Sequence, residues 1–588
     1  MNRTTQLLLL AVFLIAFFFG ITKQIIGNPN KYYLDHLDWK LHLSWAGTAR
    51  NTIVNYGQAP LWNPYRCGGV PVIGEPESDI VSPFLPFLIV FGPLFGYLMF
   101  FLVNLLVGCI GFYKVGRYYR LSPLASVLIG ETYMVSGLYI FPFFAGMTNF
   151  IAIGFLPFVI LFFERYLSEG KFSHAIWTAF FTALMYLSGF HYIVILLIYI
   201  GVSALIHIIQ RHSLPELKKA IWVGVLFLCF SAVKFIRTIE LLFHHRGTTY
   251  SYEATGGFSL TSLLYSLLSR DQTTAMIHTI TTDQSNVFFG ANYDIEENGM
   301  YIGIFLFMLF IVGLWKKSSK IMRLIYVGVI FLLISFGTHI YPSLYELVRT
   351  IPMLSSIRVA NRFRYIFMVP VVICIGFGFD LLMRYLTRAF GLSRRMYTTI
   401  AVSILLFVGA DLIYVNFNSQ NILPIVQNIQ IIQPNKSNAF YNRCSSELSE
   451  YELIMQNQGH ISCYDNVLFS SFAVCKENEN YKGRTYLLNG EDTASLIYFS
   501  PTKLRVQVTS PTSDVLIVNQ NYSRYWSATI DGAPAPAINT RQLLSVQILK
   551  GEHTVEFRYF ATWVYYGAII STISLLCCGI YLWIQRKQ

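Results

Sequence analysis

Long apolar runs alternate with short polar connections along most of the chain. Each run is long enough to cross about 30 Å of hydrocarbon as a helix, so we predict about twelve membrane spans. They are residues 6–24, 88–113, 122–141, 147–167, 173–188, 191–209, 219–238, 300–315, 321–338, 365–385, 398–416 and 562–584. The first run lacks a small-residue cleavage site, so we expect a retained helix rather than a signal peptide.

Four predicted connections are long: residues 25–87, 239–299, 339–364 and 417–561. From about 485 to 559, apolar and polar residues alternate with period two between turn residues, which predicts antiparallel strands. We therefore expect a small β-sandwich before the last helix. The predicted division is a polytopic α-helical membrane domain at 1–416, a β-rich extracytoplasmic domain at 417–561, and a final helix with its tail at 562–588.

The distribution of Lys and Arg predicts which side of the membrane each connection faces. Only 13% of its 588 residues are charged, against about 25% in soluble domains. Lys and Arg concentrate in alternate short connections, at 114–120, 165–171, 211–219, 316–323 and 384–395. The positive-inside rule makes that side cytoplasmic, with both termini, and leaves the four long connections outside. This bias accounts for the net charge of +12, so we expect no nucleic-acid partner.

The nine cysteines divide in the same way. Those in apolar runs are expected to be small packing residues: Cys109, Cys229, Cys374, Cys577 and Cys578. Cys67, Cys444, Cys463 and Cys475 fall in segments predicted to lie outside. The sequence allows one disulfide among the last three without fixing which two pair.

Charged residues cluster in the outer connections. Carboxylates at the lip of a membrane bundle are costly to desolvate and are functional candidates by default. They are Asp35, Asp38, Glu75, Glu77 and Asp79. Arginine forks suit phosphate geometry, and the outer connections carry Arg246, Arg358, Arg362 and Arg364. The pattern favours chemistry at the outer face on a lipid-anchored, phosphate-bearing substrate. The alternative is that these arginines only snorkel at the interface.

Three blocks together resemble the bacterial YfhO-type membrane proteins, a branch of the GT-C glycosyltransferase superfamily. The first is Asp38 followed by GQAPLWNP at 57–64 and GVP at 69–71. The second is ENGMYIG at 297–303. The third is YWSATIDG at 525–532 with KGEHTVEFRY at 550–559, just before the last helix.

This resemblance implies a polyprenyl-phosphate-linked sugar donor and an active site on the outer face of a bacterial cytoplasmic membrane. The acceptor would be a cell-surface polymer, glycan or lipid. An acidic residue in the first outer loop typically serves as base in GT-C enzymes, and Asp38 holds that position here. Asp35 is the alternative, although either carboxylate could instead cap the following helix.

The remaining candidates follow from the chemistry of glycosyl transfer. A leaving phosphate needs electrostatic stabilisation, which we assign to Arg358, Arg362 and Arg364, with Arg246 as a weaker candidate. Glu75, Glu77 and Asp79 either position the acceptor, hold Mg²⁺ or Mn²⁺, or form a solvated loop. Further candidates for substrate binding are Trp62, Asn149, His191 and Glu297.

Two other functions remain open. A transporter or flippase of lipid-linked saccharides would favour broken helices at mid-membrane and internal repeat symmetry, and no repeat is visible. If the protein is a surface receptor or scaffold that uses the β-rich domain, Asp38→Asn should not change its function. Signatures of ATP-driven pumps and of hydrolases are absent from the sequence.

Overall fold

The computed structural model describes residues 38–190, 192–212, 217–244, 256–273, 295–316, 318–351, 354–418, 440–444, 450–463, 470–490 and 494–587. The predicted first span, Asp35, His191 and Arg246 lie outside these residues.

Helices dominate up to residue 418. Their bounds are α1 Trp39–Tyr56, α2 Leu85–Phe91, α3 Pro93–Tyr118, α4 Pro123–Val135, α5 Gly137–Phe144, α6 Leu156–Glu169, α7 Phe172–Leu187, α8 Ile193–Arg211, α9 Leu217–His244, α10 Leu260–Leu268, α11 Ile295–Asn298, α12 Gly303–Gly313, α13 Ser319–Ser335, α14 Leu344–Arg349, α15 Arg364–Phe390, α16 Arg394–Asn418, α17 Glu450–Met455 and α18 Thr562–Lys587. Short 3₁₀ helices, Thr148–Phe155 and Ala360–Phe363, lead into α6 and α15.

The chain is a multi-pass helical membrane protein. Among the described residues, nine helical segments are long and apolar enough to cross a bilayer. Two further predicted spans correspond to α7 and α13, with 16 and 17 residues. The third predicted span is interrupted, because Ser136 has an extended backbone between α4 and α5. The total of twelve stays a prediction.

The basic connections meet at one end of the helical bundle. Lys320 and Arg165 both lie over the ring of Tyr118, at 4.8 and 5.9 Å from its centroid. Lys219 Nζ donates to Leu167 O at 3.0 Å, and Ser122 N donates to Asp380 at 2.9 Å. The basic segments at 114–120, 165–171, 211–219, 316–323 and 384–395 therefore share one end, as the charge pattern predicts.

A strand-rich domain precedes the last helix, as the sequence predicts. Two short two-stranded sheets pair β1 (Trp62–Asn63) with β2 (Val70–Pro71) and β3 (Tyr441–Arg443) with β4 (Gln458–His460). The main strands are β5 Thr485–Leu487, β6 Ala494–Ser500, β7 Lys503–Ser510, β8 Asp514–Asn521, β9 Trp526–Ile530, β10 Ala533–Ala535, β11 Ile538–Thr540, β12 Leu543–Ile548 and β13 Gly551–Tyr559. They form antiparallel sheets in the orders β10-β9-β13-β7-β6 and β11-β12-β8-β5.

The first outer loop is part of this domain's core. Leu61, Trp62 and Tyr65 belong to the same buried apolar cluster as Val506 of β7 and Val546 of β12. Burying apolar side chains contributes about 25 cal/mol for each Å² removed from water. The loop therefore joins the strand-rich domain to the membrane bundle through shared packing.

The protein has two disulfides among its described residues, and one of them crosses this junction. Cys67 of the first outer loop pairs with Cys463, and Cys444 pairs with Cys475. The second pair fits the sequence expectation, whereas the first, across 396 residues, was not predicted. Disulfides persist in oxidising compartments, which agrees with placing both segments outside.

Candidate functional site

The turn between α5 and the 3₁₀ helix Thr148–Phe155 is the centre of the candidate site. Asp38 lies beside it, because its backbone N–H donates to Ala145 O at 3.3 Å. Trp39 fixes the same junction by donating from Nε1 to Phe144 O at 3.0 Å. Gly146, with φ +88°, is required there, since a Cβ would come within 2.2 Å of Trp39 N.

Asp38 occupies the N-cap position of α1 without capping it. Its backbone is in the αR region, and its side chain makes no hydrogen bond to the free N–H groups of the helix. The capping alternative is therefore not realised for Asp38. The residue is half-buried.

The acidic loop at 74–79 is buried against the same turn. Exposed fractions are 3% for Glu75, 8% for Glu77 and 2% for Asp79, so the solvated-loop alternative is wrong. Glu75 Oε2 accepts from the backbone N–H groups of Glu77 and Ser78, at 2.7 and 3.0 Å. Gly189 packs close to Glu77 O and Asn149, where a Cβ would lie 2.3 Å from Glu77 O.

Lys234 of α9 holds this acidic loop in place. Its Nζ donates to Ser78 O at 2.6 Å, to Pro76 O at 2.8 Å and to Tyr186 O at 3.1 Å, and the residue has no exposed surface. Burial raises the pKa of Asp79 to about 7, against a hydrogen bond from Tyr97 and the charge of Lys234. Our sequence reasoning overlooked Lys234, although a lysine inside an apolar span signals a polar site by itself.

These three carboxylates do not form a shared ligand set for a divalent cation. Among the described residues, the one His/Cys/Asp/Glu group within mutual reach of a metal is Cys444, Cys475 and Glu477. Its two cysteines are joined in a disulfide. Binding of Mg²⁺ or Mn²⁺ by these residues stays a prediction, and no step of the chemistry is assigned to a metal.

The arginine segment packs on the 3₁₀ helix that follows the turn. The guanidinium of Arg362 lies 5.1 Å from the ring centroid of Phe150 and 4.3 Å from that of Tyr192. Its Nε donates to Glu297 Oε1 at 2.8 Å. Asn361 Nδ2 donates to Asn298 Oδ1 at 2.8 Å, which fixes the 3₁₀ helix against α11. The arginine segment and Asp38 thus border one short stretch, residues 145–150.

The predicted phosphate ligands differ in how much of their surface is exposed to solvent. Arg364 has no exposed surface, donates to Glu296 O and lies 3.8 Å from Glu297 Oε2. Arg362 is 7% exposed. Arg364 is enclosed by protein in this conformation, and its assignment as a phosphate ligand stays a prediction. Arg358 is half-buried and is the one with accessible surface.

Two predicted substrate contacts have structural roles instead. Trp62 is 1% exposed, and its rings pack against Tyr559 at 4.9 Å and Trp526 at 5.7 Å. Almost no ring surface is left for a sugar, so the predicted stacking role is wrong. Glu297 neutralises two buried arginines rather than facing a ligand. Asn149 is 3% exposed and lies within the site.

Two of the solved structures that this chain resembles are distant likenesses. Arabinofuranosyltransferase AftD from Mycobacteria superposes with a TM-score of 0.42 and 12% identity, covering 72% of this chain and 27% of that one. The archaeal oligosaccharyltransferase AglB from Archaeoglobus fulgidus, in complex with an inhibitory peptide and a dolichol-phosphate, gives 0.30 and 13%, covering 78% and 64%. Both scores lie below 0.5, and this chain spans less than two thirds of either protein. No family model and no curated protein matches.

Proposed function

We propose that the chain is a GT-C-type membrane glycosyltransferase. It would transfer a sugar from a polyprenyl-phosphate-linked donor to a glycan, polymer or lipid at the outer face of the membrane. The observation that carries the proposal is the junction at residues 145–150. Asp38 contacts it through Ala145, and Arg362 contacts it through Phe150. A candidate base and a cationic segment thereby contact the same short stretch of chain.

The reaction needs a proton acceptor on one side of the sugar. The acceptor hydroxyl attacks the anomeric carbon and passes its proton to the carboxylate of Asp38. A positioned base contributes about 10²–10⁴ in rate. Asp38 lies at the N-cap position of α1, next to the turn that forms the centre of the site.

On the other side, the bond between the anomeric carbon and the donor phosphate oxygen breaks. The electron pair leaves with the phosphate, whose charge needs a cation. Arg358 is the candidate for direct contact, because it is half-buried, whereas Arg362 and Arg364 are buried beside Glu297. Removing one preorganised donor of this kind costs roughly 10²–10³ in rate.

Reconstituted full-length protein tests the proposal. Labelled polyprenyl-phosphate sugars are supplied in liposomes with candidate acceptors, and transferred label is counted. We expect Asp38→Asn and Arg358→Gln each to reduce transfer at least about 100-fold. Matched controls are Asp271→Asn, at an exposed loop carboxylate, and Arg349→Gln, which hydrogen-bonds Ser355 O in the same outer connection.

Two results would overturn the proposal. Undiminished transfer by both site variants would show that Asp38 is not the base and that Arg358 is not the phosphate ligand. Movement of the intact lipid-linked sugar across the bilayer, with no transfer by wild type, would instead identify a flippase.

A further inference from the structure

A cavity of about 500 Å³ lies between α9 and the strand-rich domain. This volume is within the range of small-molecule sites, which favour domain junctions. Its lining includes Arg237, Glu240, Phe472, Tyr522, Arg524 and Tyr525. None of our sequence-based candidates except Trp62 lies in this lining.

Asn521 fixes three walls of the cavity relative to one another. Its Nδ2 donates to Cys67 O at 2.8 Å, to Gly69 O at 3.1 Å and to Ser470 O at 3.0 Å. Its Oδ1 accepts from Phe472 N at 2.9 Å. The first outer loop, the segment at 470–472 and the end of β8 are therefore held by one amide. A cavity built in this way is preorganised, which reduces the entropy lost on binding.

Buried hydrogen-bond donors lie at the cavity. Arg237 is 3% exposed and packs on Tyr525 at 4.5 Å, while its terminal nitrogens bond Glu240 and Tyr559. Within the described part of the chain, Arg237 Nε and Trp62 Nε1 have no acceptor. Buried donors are ordinarily paired, so these two indicate an oxygen-bearing ligand.

We propose that this cavity binds a saccharide unit of the acceptor. Hydroxyl and ring oxygens would accept from Arg237 and Trp62, while Glu240 holds Arg237 and Arg524 in place at the wall. Aromatic surface at the opening comes from Phe472, which is 47% exposed, and from Tyr522. Sugar rings combine apolar C–H faces with oxygens in every direction, which matches this lining. The identification of this saccharide as the acceptor rests on the proposed glycosyl transfer. The proposal that the cavity binds a saccharide is independent of that function.

Binding by the full-length protein in nanodiscs tests the proposal. The probe is a printed array of defined neutral and acidic oligosaccharides, followed by calorimetric titration of the best binder. Ser470→Trp should fill the cavity and raise Kd at least about tenfold, since residue 470 bonds Asn521 through its backbone. Phe472→Ala should raise Kd about three- to tenfold. Tyr498→Ala, at a 37% exposed aromatic on β6, is the matched control and should leave Kd unchanged.

Each outcome is decisive. Failure of wild type to bind any oligosaccharide at millimolar concentration overturns the saccharide site, even if the protein transfers sugar. Equal binding by wild type and Ser470→Trp also overturns it. If wild type binds an oligosaccharide, Ser470→Trp weakens that binding and the protein shows no transfer activity, then the saccharide site is supported and the proposed function is wrong. Asp38→Asn should leave Kd unchanged, because Asp38 does not line the cavity.

Discussion

Arg362 and Glu297 form a buried ion pair that joins two outer connections 65 residues apart in sequence. The side chains are 9% and 8% exposed, and Arg364 lies against the same carboxylate. Removing one member of a buried pair leaves an uncompensated charge, which is far more costly than losing a surface contact.

Glu297→Gln should therefore lower the free energy of unfolding by about 3–5 kcal/mol. The measurement is unfolding in mixed micelles by SDS titration. Glu346→Gln, at an exposed carboxylate on α14, is the control and should change stability by less than about 0.5 kcal/mol. The double variant Glu297→Gln/Arg362→Met should be more stable than Glu297→Gln alone. A double variant as unstable as the sum of both single changes would contradict the pairing.

Lys234→Gln should loosen the acidic loop at 74–79. Three carbonyl oxygens lose a charged donor, and one amide cannot replace all of them. We expect a loss of about 3 kcal/mol and faster proteolysis within the loop. Lys218→Gln, at an exposed position of the same helix, should behave as wild type. Unchanged proteolysis of Lys234→Gln would show that the loop keeps its conformation without the lysine.

Asp79 should give the protein a dependence of stability on pH. Burial raises the pKa of its carboxyl from 3.8 to about 7, so the folded state binds the proton more tightly than the unfolded state. The stabilising contribution is present below about pH 4 and is lost as the pH rises towards 7, by about 1.4 kcal/mol per pH unit. Asp79→Asn should remove this slope from a series of thermal melts, whereas Asp271→Asn should keep it. Parallel slopes for wild type and Asp79→Asn would exclude a raised pKa.

Removing the Cys67–Cys463 disulfide should weaken the junction between the outer loop and the strand-rich domain. Cys67→Ser/Cys463→Ser should lose about 2–5 kcal/mol. Dithiothreitol should lower the Tm of wild type more than that of this double variant. Cys577→Ser changes an exposed free thiol of α18 and should have no effect. Equal sensitivity of both proteins to the reductant would argue against the pairing.

Local patterns in the sequence predicted much of the fold. Hydropathy located the long helices, period-two alternation located the strands of the C-terminal domain, and Lys and Arg identified one end of the bundle. Such signals act over a few neighbouring residues. The break at Ser136 was missed because the span was placed by hydropathy, although Ser136 and Gly137 form a turn-type dipeptide.

The candidate site was predicted less well, because its contacts join distant segments. Sequence analysis selected Asn149 and Glu297, but could not show that the carboxylate of Glu297 would pair with two arginines. Trp62 was taken for a ligand residue because it is an aromatic in a polar loop. Its partners Trp526 and Tyr559 lie more than 460 residues away, and no local pattern reveals them.

The last helix lies against α9, where Val233 N donates to Ser571 Oγ across 338 residues. Gly567 allows close approach, since a Cβ would lie 2.4 Å from Ala232 O. During synthesis α9 leaves the ribosome long before α18 does. That flank of α9 can therefore pack against α18 only after the whole strand-rich domain has been synthesised, which makes this helix pair a late contact in biogenesis.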